Sequence, residues 1–331
     1  MTDYNCKQAT PPICRAVAIG NFDGVHLGHQ RLLQQARTLA GSDRLGVITF
    51  APLPLEVLRP DAAPGRIGSD AMRVAWLQQA GVDVVWMLPF DQQLAHMSPA
   101  QFVERFLRHG LQPEHVVVGA DFHYGHRRSG DVATLRTAGV EHGFAVTTVN
   151  DVHDRNPEHA QRISSSRVRQ ALRTGDLRLA SDLLGRAYSI PGEVVSGQRL
   201  GRELGFPTIN IDVSNWHCLL QGIYAVRVQL CDNGSKSELL SGVASIGHRP
   251  VVSEHLPERA RPGHWLEVHL FDFDRDCYGV QAEVIFIEQL RDEWSFASVD
   301  AMLAQMHADS DNAKAVLQQQ AGAALRWRID Q

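Results

Sequence analysis

A ten-residue string near the N-terminus, residues 20–29 (GNFDGVHLGH), combines glycines and histidines in a pattern suited to binding phosphate. It follows a short apolar run and precedes a helical pattern. At that position α/β folds present free N–H groups and the positive end of a helix dipole to anions. Gly24 and Gly28 let the backbone approach a ligand closely. His26 and His29 can donate hydrogen bonds to phosphate oxygens and offset charge on a departing pyrophosphate.

The same string also admits simpler interpretations. Two histidines three residues apart can form a zinc pair, or they can mark only the start of a helix. The string is not a Walker A loop, because the G-x-x-x-x-G-K-[ST] pattern is absent from it. It holds no obvious nucleophile, and none is needed if a phosphate on the substrate attacks. We predict that His26 and His29 are catalytic and that phosphates are bound by Gly20, Asn21, Phe22, Asp23 and Gly28.

A second segment with groups that suit a triphosphate is residues 161–172 (QRISSSRVRQAL). Ser164 and Ser165 open a predicted helix there, and Arg167 lies in its first turn. Serine hydroxyls, a helix N-terminus and an arginine together suit a nucleotide. An ordinary helix cap with solvated arginines has the same pattern and remains the alternative.

A glycine-rich aromatic loop follows a predicted strand in residues 117–131 (VVGADFHYGHRRSGD). Ligands of α/β sheets bind beyond the carboxyl ends of the strands. Asp121, Phe122 and Tyr124 are therefore candidates to hold an isoalloxazine or adenine ring. The alternative is a loop with one aromatic side chain in the core.

The elements that must position these groups follow from hydrophobic periodicity. Up to about Gly185, short apolar runs alternate with helical patterns, which indicates βαβ units around a parallel sheet. The predicted strands are residues 15–20, 45–50, 82–88, 115–119 and 144–149. The predicted helices are one around residues 32–40, one at residues 71–80, one from Ser98 to Gly110, and two within residues 165–184.

After about Gly185 the hydrophobic period changes to two. In residues 222–230 (GIYAVRVQL), one face carries Tyr224, Val226, Val228 and Leu230. The Asn233-Gly234 pair that follows is a strong hairpin signal. Further strands are predicted at residues 238–246, 264–271 and 280–287, and a terminal helix at residues 299–326.

These patterns predict two domains of different class. The first, residues 1–185, is a Rossmann-like α/β domain with a parallel sheet. The second, residues 186–331, is an all-β unit of about six strands with the terminal helix packed on it. We expect the second unit to close into a barrel, because closure removes exposed strand edges.

The bulk composition narrows the function classes. The chain has 331 residues, 44% of them hydrophobic, and a net charge of −5, which gives no footprint for binding nucleic acid or anionic membranes. No apolar run of about 18 residues predicts a transmembrane helix. The five cysteines lack C-x-x-C spacing, which indicates free thiols in a reducing compartment. We expect a cytoplasmic enzyme of small-molecule substrates, with no nucleic-acid or membrane partner, as a monomer or weak homo-oligomer.

Together these strings resemble the bifunctional riboflavin kinase/FMN adenylyltransferase family of prokaryotes, also called FAD synthetase. Residues 20–29 look like that family's version of the nucleotidylyltransferase H-x-G-H signature. The kinase module of the family is similar to three strings of the second half, which are residues 183–210 (LLGRAYSIPGEVVSGQRLGRELGFPTIN), 222–228 (GIYAVRV) and 267–273 (EVHLFDF). The resemblance extends from about Ala16 to about Leu317.

The resemblance implies a pair of reactions. The barrel would transfer the ATP γ-phosphate to the riboflavin 5′-hydroxyl, and the α/β domain would join AMP to FMN and release pyrophosphate, with Mg²⁺ in both steps. It also implies that Thr208 and Asn210 hold Mg²⁺, that Gly205 and Pro207 contact the nucleotide phosphates, and that Glu267 is the base for the hydroxyl. Hard oxygen ligands suit Mg²⁺. The alternative for Glu267 is a plain surface residue of a strand.

Several positions depart from the family pattern in the kinase half. Ile209 stands in the family's P-T-A-N block in place of alanine, and Ser245 and His248 stand in its A-N-I-G-T-R-P block. Val251 and Val252 replace a Thr-Phe pair that the family places near flavin. We therefore hypothesise altered flavin affinity or weak kinase activity in the barrel.

Three alternative functions remain open. They arise because the kinase half departs from the family pattern and because other nucleotide-binding enzymes can share phosphate-binding strings of this kind. One is an FMN adenylyltransferase whose degraded kinase barrel only holds flavin. Another is a flavin carrier without catalysis, which the intact phosphate strings disfavour. The third is a nucleotidylyltransferase with another acceptor, which Thr208 and Glu267 disfavour.

Overall fold

The computed structural model describes residues 12–154, 160–197, 205–213, 218–232, 235–248 and 264–322. The chain divides into two compact units. The first unit comprises the chain up to Pro64 together with Asp70–Ser165. The second comprises Gly65–Ser69 and the chain from Ser166 onward.

A parallel sheet of five strands forms the centre of the first unit. Its strands are β1 (Ala16–Ile19), β2 (Leu45–Ala51), β3 (Val84–Pro89), β4 (His115–Gly119) and β5 (Ala145–Val149). Their spatial order is β3-β2-β1-β4-β5, so the order reverses between β1 and β4. A sheet of this kind binds ligands in the crevice beyond the carboxyl ends of the strands at that reversal. The parallel α/β architecture predicted for the first half is confirmed.

Helices alternate with these strands along the chain and pack on the sheet. They are α1 (Leu27–Ala40), α2 (Pro54–Leu58), α3 (Asp70–Gln79), α4 (Gln92–Ala95), α5 (Pro99–Phe102) with π-helical turns at Val103–Leu111, α6 (Val132–His142), and 3₁₀ turns at Pro60–Ala62 and His126–Arg128. The Ser98 hydroxyl accepts the Gln101 N–H and caps α5, so this helix begins where the sequence predicted. The short α2 and α4 were not predicted, because four or five residues are too few to show a helical period.

The second unit contains two helices followed by a barrel. The helices are α7 (Ser165–Arg173) and α8 (Leu177–Leu184). The strands are β6 (Ser189–Val195), β7 (Thr208–Asp212), β8 (Gly222–Asp232), β9 (Ser235–Lys236), β10 (Leu240–His248), β11 (His264–Leu270) and β12 (Gln281–Arg291). Six of them close in the antiparallel order β10-β11-β7-β6-β12-β8 and back to β10, and β9 adds a two-residue strand to β8.

The closed six-stranded barrel and its terminal helix, α9 (Val299–Gly322), are both confirmed. The predicted inward face of β8 is correct, because Tyr224, Val226, Val228 and Leu230 are all buried. The sequence did not give bounds for β6 and β7. Pro191 and Gly192 interrupt the pattern of β6, and β7 has only five residues. Asn233 and Gly234 lie outside the described residues.

A boundary at residue 185 stays a prediction. The compact unit that contains the barrel also contains most of α7 and all of α8. Within that unit α8 contacts β12. The division by contacts therefore falls about one pair of helices earlier than the change in hydrophobic period does.

The described cysteines Cys14, Cys218, Cys231 and Cys277 are free thiols. Burial raises the pKa of the Cys14 thiol to about 11 and that of the Cys218 thiol to about 12. Both groups are therefore protonated at neutral pH and poorly nucleophilic. Across the described ranges, the structure has no helix with the length and apolar character that crossing a bilayer requires.

A buried ion pair ties α9 to the barrel. The Arg291 guanidinium donates to both carboxylate oxygens of Asp309, with Nη2–Oδ2 at 2.7 Å and Nε–Oδ1 at 3.0 Å. The two side chains are only 11% and 5% exposed. Gln305 on the same helix donates to Asp309 Oδ1 at 2.9 Å. The carboxylate is thus held by two elements at once.

We expect Asp309→Ala to destabilise the protein by about 3–5 kcal/mol, because it leaves the Arg291 charge buried without its partner. Urea unfolding followed by circular dichroism measures this loss. Glu104→Ala is the control, since it removes an exposed ion pair with Arg108 within one helix and is expected to leave the midpoint unchanged. Equal midpoints for Asp309→Ala and the wild type would show that the pair does not hold α9.

Candidate functional site

The loop of residues 20–29 runs from the end of β1 into α1 with a tight, unusual backbone. Phe22 and Val25 have φ angles of 50° and 41°, and Gly24 has φ of 81°. Residues other than glycine seldom adopt a positive φ, so the surrounding structure must hold Phe22 and Val25 in this conformation. The Val25 N–H donates to the Phe22 carbonyl at 3.2 Å and closes the turn.

His26 and His29 stack against one another at the start of α1. Their ring centroids lie 3.7 Å apart with an interplanar angle of 19°. His26 is the N-cap residue, and its Nδ1 accepts the His29 N–H at 3.4 Å. Because Nδ1 is an acceptor, the proton of a neutral His26 ring sits on Nε2. The loop therefore offers an imidazole N–H donor beside a helix N-terminus, which is the chemistry that binds an anion.

Gly28 makes this stacking possible. A Cβ atom at this position would lie 3.0 Å from His26 Cε1 and 3.1 Å from His26 Nδ1. A larger residue would therefore push the imidazole ring by a few tenths of an ångström. Glycine at this position is therefore favoured by the close approach of the His26 ring.

A cavity of about 270 Å³ opens beside this loop. It brings together most of the residues that were predicted for the first half. Those among its lining are Gly20, Phe22, His26, Gly28, His29, Asp121, Phe122, Ser164 and Ser165. Ser165 Oγ donates to the Asp23 carbonyl at 2.9 Å, so the serine segment is tied directly to the loop.

Four predicted residues are absent from this lining: Asn21, Asp23, Arg167 and Tyr124. Asn21 and Asp23 do not line the cavity, but their carbonyls accept hydrogen bonds that shape the loop. Arg167 lies two residues beyond Ser165 on α7, in the second compact unit. Its contact with phosphate stays a prediction.

The aromatic loop after β4 contributes Asp121 and Phe122 to the cavity. Tyr124 is only 7% exposed and stacks on Phe122 with ring centroids 5.6 Å apart. It also contacts Phe102 in the core at 5.6 Å. Burial raises the pKa of the Tyr124 hydroxyl. Tyr124 thus supports Phe122 from within the core, and its own contact with a ligand ring stays a prediction.

Arg162 lies in the same cavity and was not singled out by the sequence patterns. Its guanidinium forms ion pairs with Asp121 at 2.9 Å and with Asp151 at 3.0 Å. Asp121 follows β4 and Asp151 follows β5, so Arg162 joins the carboxyl ends of two neighbouring strands. A basic residue just before the serine segment was the only available signal, and surface arginines share it.

In the second unit, a cavity of about 430 Å³ contains the predicted metal ligands Thr208 and Asn210. Its lining also includes Pro207, Ile209, Asp274, Asp276 and Tyr278. Thr208 and Asn210 are two residues apart on β7, so their side chains share one face. Gly205 has φ of 81° and begins the turn that leads into the strand.

The Asn210 side chain is suited to a cation. It is 4% exposed, and its Oδ1 has no hydrogen-bond partner among the described residues. A Cβ atom at Gly197 would lie 2.4 Å from Asn210 Nδ2, so only glycine there leaves room for the amide. A buried oxygen without a partner is costly, and a bound metal ion would satisfy it.

Glu267 lies on β11 between two strands that carry predicted residues. It pairs in register with Asn210 on β7 and with Ser245 on β10. Its neighbours Leu266 and Val268 are fully buried, whereas Glu267 is partly exposed on the opposite face. Glu267 does not belong to the described lining of the 430 Å³ cavity.

His269, two residues after Glu267 on β11, contacts the segment that leads into β7. Its Nδ1 lies 2.9 Å from the Pro207 carbonyl. Its ring meets that of Phe206 at 5.1 Å. Of the other positions that depart from the family pattern, Val251, Val252 and the side chain of His248 lie outside the described residues.

Two family models match the chain in succession. The model described as FAD synthetase matches residues 10–167, and the model described as riboflavin kinase matches residues 184–317. A crystal structure described as a macrolide-efflux protein from Streptococcus pneumoniae is similar, with a TM-score of 0.74 and 28% identity. That likeness covers 91% of this chain and 94% of the pneumococcal chain.

Curated relatives share both halves. The bifunctional riboflavin kinase/FMN adenylyltransferase of Escherichia coli K12 is 38% identical over 313 residues, which are 94% of this chain and 95% of the relative. The protein of the same name from Pseudomonas fluorescens is 41% identical over 302 residues, 90% of this chain and 91% of the relative. With both family models matched and such identity along nearly the whole length, the chain belongs to the bifunctional riboflavin kinase/FMN adenylyltransferase family of transferases.

Proposed function

We propose that the chain converts riboflavin to FAD in two ATP-dependent steps, one in each unit. The barrel phosphorylates the riboflavin 5′-hydroxyl to give FMN. The α/β unit joins AMP to FMN and releases pyrophosphate. The observation that carries this proposal is the stacked histidine pair at the start of α1, on a loop within the FAD synthetase match, in a chain whose other half matches riboflavin kinase.

In the adenylylation step, a phosphate oxygen of FMN attacks the α-phosphorus of ATP. The bond from that phosphorus to the oxygen of the β-phosphate breaks, and pyrophosphate leaves. No protein nucleophile is required. The task of the protein is to position two phosphates and to neutralise charge on the leaving group. We assign the second task to His26, His29 and the N-terminus of α1, because the ring donors and helix dipole converge there.

Ser164 would add a hydroxyl donor to the nucleotide phosphates, and Ser165 would do so by exchanging its bond with the Asp23 carbonyl. Phe122 would support the flavin or adenine ring, and Asp121 would fix its orientation. Asp121 is held by Arg162 in the structure, so ligand binding must either preserve this ion pair or exchange it.

In the phosphorylation step, Glu267 would accept the proton of the riboflavin 5′-hydroxyl as its oxygen attacks the γ-phosphorus of ATP. ADP is the leaving group. Such a base contributes by placement, since phosphoryl transfer relies mainly on positioning and charge neutralisation. The register of Glu267 with Asn210 supports this assignment, because the base and the predicted metal ligand then occupy adjacent strands.

Thr208 and Asn210 would hold Mg²⁺ in the barrel. The oxygen donors and the buried Asn210 Oδ1 fit a hard cation. When bound, Mg²⁺ neutralises charge on the ATP phosphates. Gly205 and Pro207 shape the turn that places Thr208, and His269 holds this turn through the Pro207 carbonyl.

The departure at position 209 does not argue against an active kinase. Ile209 is 8% exposed and pairs in register with the core residue Val268. Its side chain therefore points to the barrel interior, opposite to those of Thr208 and Asn210. The larger side chain therefore adds mainly to core volume, and residue 209 also belongs to the lining of the 430 Å³ cavity.

We expect the protein to act in the cytoplasm on small molecules alone. ATP is available there, and the four described cysteines are unpaired thiols of the kind that a reducing compartment maintains. The net charge of −5 disfavours association with nucleic acid or with anionic membranes.

A chromatographic time course with riboflavin, ATP and Mg²⁺ is expected to show FMN first and FAD later. The same reaction with FMN is expected to give FAD directly, and chelation of Mg²⁺ to stop both steps. FAD formed only from supplied FMN would identify a single-activity adenylyltransferase. Tight flavin binding with no product would identify a carrier.

His29→Ala is expected to lower FAD formation from FMN by at least about 10²-fold, the usual effect of removing one donor to developing charge. Phosphorylation of riboflavin should be unchanged, and its rate in the same sample reports correct folding. His142→Ala, at the end of α6, is the matched control and should retain both rates. Loss of both reactions in folded His29→Ala would contradict the assignment of one activity to each unit.

Glu267→Gln is expected to have the reverse effect. Loss of a positioned base should slow FMN formation by about 10²–10⁴-fold, while FAD formation from FMN continues at the wild-type rate. Glu288→Gln, which alters an exposed glutamate of β12, is the control. A wild-type rate of FMN formation in Glu267→Gln would remove Glu267 from the mechanism.

A further inference from the structure

Arg73 on α3 is a buried cation close to the phosphate loop. Its side chain is 3% exposed. Its Nη1 donates to the Asn21 carbonyl at 3.0 Å, and its Nη2 donates to the Phe50 carbonyl and to Asp70 Oδ1, both at 2.7 Å. A buried guanidinium requires such acceptors, because its desolvation is costly. The side chain therefore joins three segments: α3, the end of β2, and the loop of residues 20–29.

The Asn21 carbonyl receives a second hydrogen bond from within the sheet. Thr49 Oγ1 donates to it at 3.0 Å, and Thr49 is fully buried. Two donors fill both lone pairs of this oxygen. In a trans peptide the carbonyl and the following N–H point in opposite directions. Holding the Asn21 oxygen therefore also fixes the direction of the Phe22 N–H.

Phe22 carries this constraint to the histidines. It has positive φ, a conformation that persists only where the surroundings enforce it. Its ring lies 5.1 Å from the His29 ring, which in turn stacks on His26. Rotation of the Asn21–Phe22 peptide would therefore move the Phe22 ring and release the support of His29.

We propose that Arg73 is a positioning residue for the adenylylation reaction. It holds the Asn21–Phe22 peptide in the orientation that presents His26 and His29 to the ATP phosphates. Arg73 acts through the loop, since its described acceptors are two backbone carbonyls, Asp70 and the Met87 sulfur, all within the protein. This proposal rests on the function proposed above for the loop.

Arg37 supplies a matched control in the same unit. Its guanidinium donates to the Gly81 carbonyl at 2.6 Å and to the Asp43 carbonyl at 2.8 Å, and it pairs with Asp83. Like Arg73, it joins backbone carbonyls from different segments and an aspartate, although its side chain is 32% exposed. These loops lead into β2 and β3, so they lie at the amino ends of the strands, opposite to the cavity.

The experiment compares Arg73→Met, Arg73→Lys, Arg37→Met and His29→Ala in the full chain. Initial rates of FAD formation from FMN are measured over a range of ATP concentrations, with riboflavin phosphorylation and the thermal midpoint of each variant. We expect Arg73→Met to lower kcat/KM for ATP by about 10²-fold, the effect of a misplacement of about 1 Å at a reacting centre. Arg73→Lys should restore part of the rate, because it keeps the charge but not the planar fork. Phosphorylation should be unchanged in every variant.

Arg37→Met should lower the thermal midpoint and leave kcat/KM unchanged. If Arg73→Met does the same, Arg73 is structural only and the proposal is overturned.

If Arg73→Met does not fold, Thr49→Val tests the same Asn21 carbonyl and should give a smaller loss of kcat/KM. Wild-type kinetics in both Thr49→Val and Arg73→Lys would then overturn the proposal. Full FAD formation in His29→Ala would instead refute the function of the loop. An inactive His29→Ala beside wild-type Arg73 variants would refute only the positioning role.

Discussion

Both candidate sites depend on backbone carbonyls that side chains hold in fixed directions. In the first unit, Asn21 is held by Arg73 and Thr49, and Asp23 by Ser165. In the second, the Pro207 carbonyl is bonded to His269. A loop that binds phosphate must present N–H groups to the ligand, and each carbonyl in the loop is a competing negative dipole. Side-chain donors that hold those carbonyls therefore determine the electrostatics of the sites as much as the groups that contact the ligand.

The architecture was predictable because its signals are periodic. Apolar runs alternating with helical patterns indicated the parallel sheet, and the period of two in β8 indicated the barrel and its inward face correctly. The short α2 and α4 escaped prediction, because a helix of one turn has no period. The strand β6 escaped because Pro191 and Gly192 interrupt its pattern.

The residues of the candidate sites were predictable when they lie close together in sequence and not when their partners are distant. Residues in contiguous strings, such as His26 with His29 or Thr208 with Asn210, were identified from spacing or from the family resemblance. Arg73 and Arg162 were not, since each acts on residues distant in sequence. Arg162 is 41 residues from Asp121, and Arg73 is 52 residues from Asn21. Only the folded chain shows which arginine has a partner of this kind.

The register of β7 against β11 indicates that alternate residues of β7 are subject to different constraints on substitution. Thr208 and Asn210 are the predicted metal ligands, whereas Ile209 pairs with the core residue Val268 and only borders the same cavity. Substitutions at position 209 are therefore constrained first by the volume of its core neighbours. Within this family, changes at residue 209 should covary with residue 268, while residues 208 and 210 stay fixed. A departure from a signature motif at a core-packing position of a strand therefore says less about activity than a departure at the neighbouring positions predicted to bind a ligand.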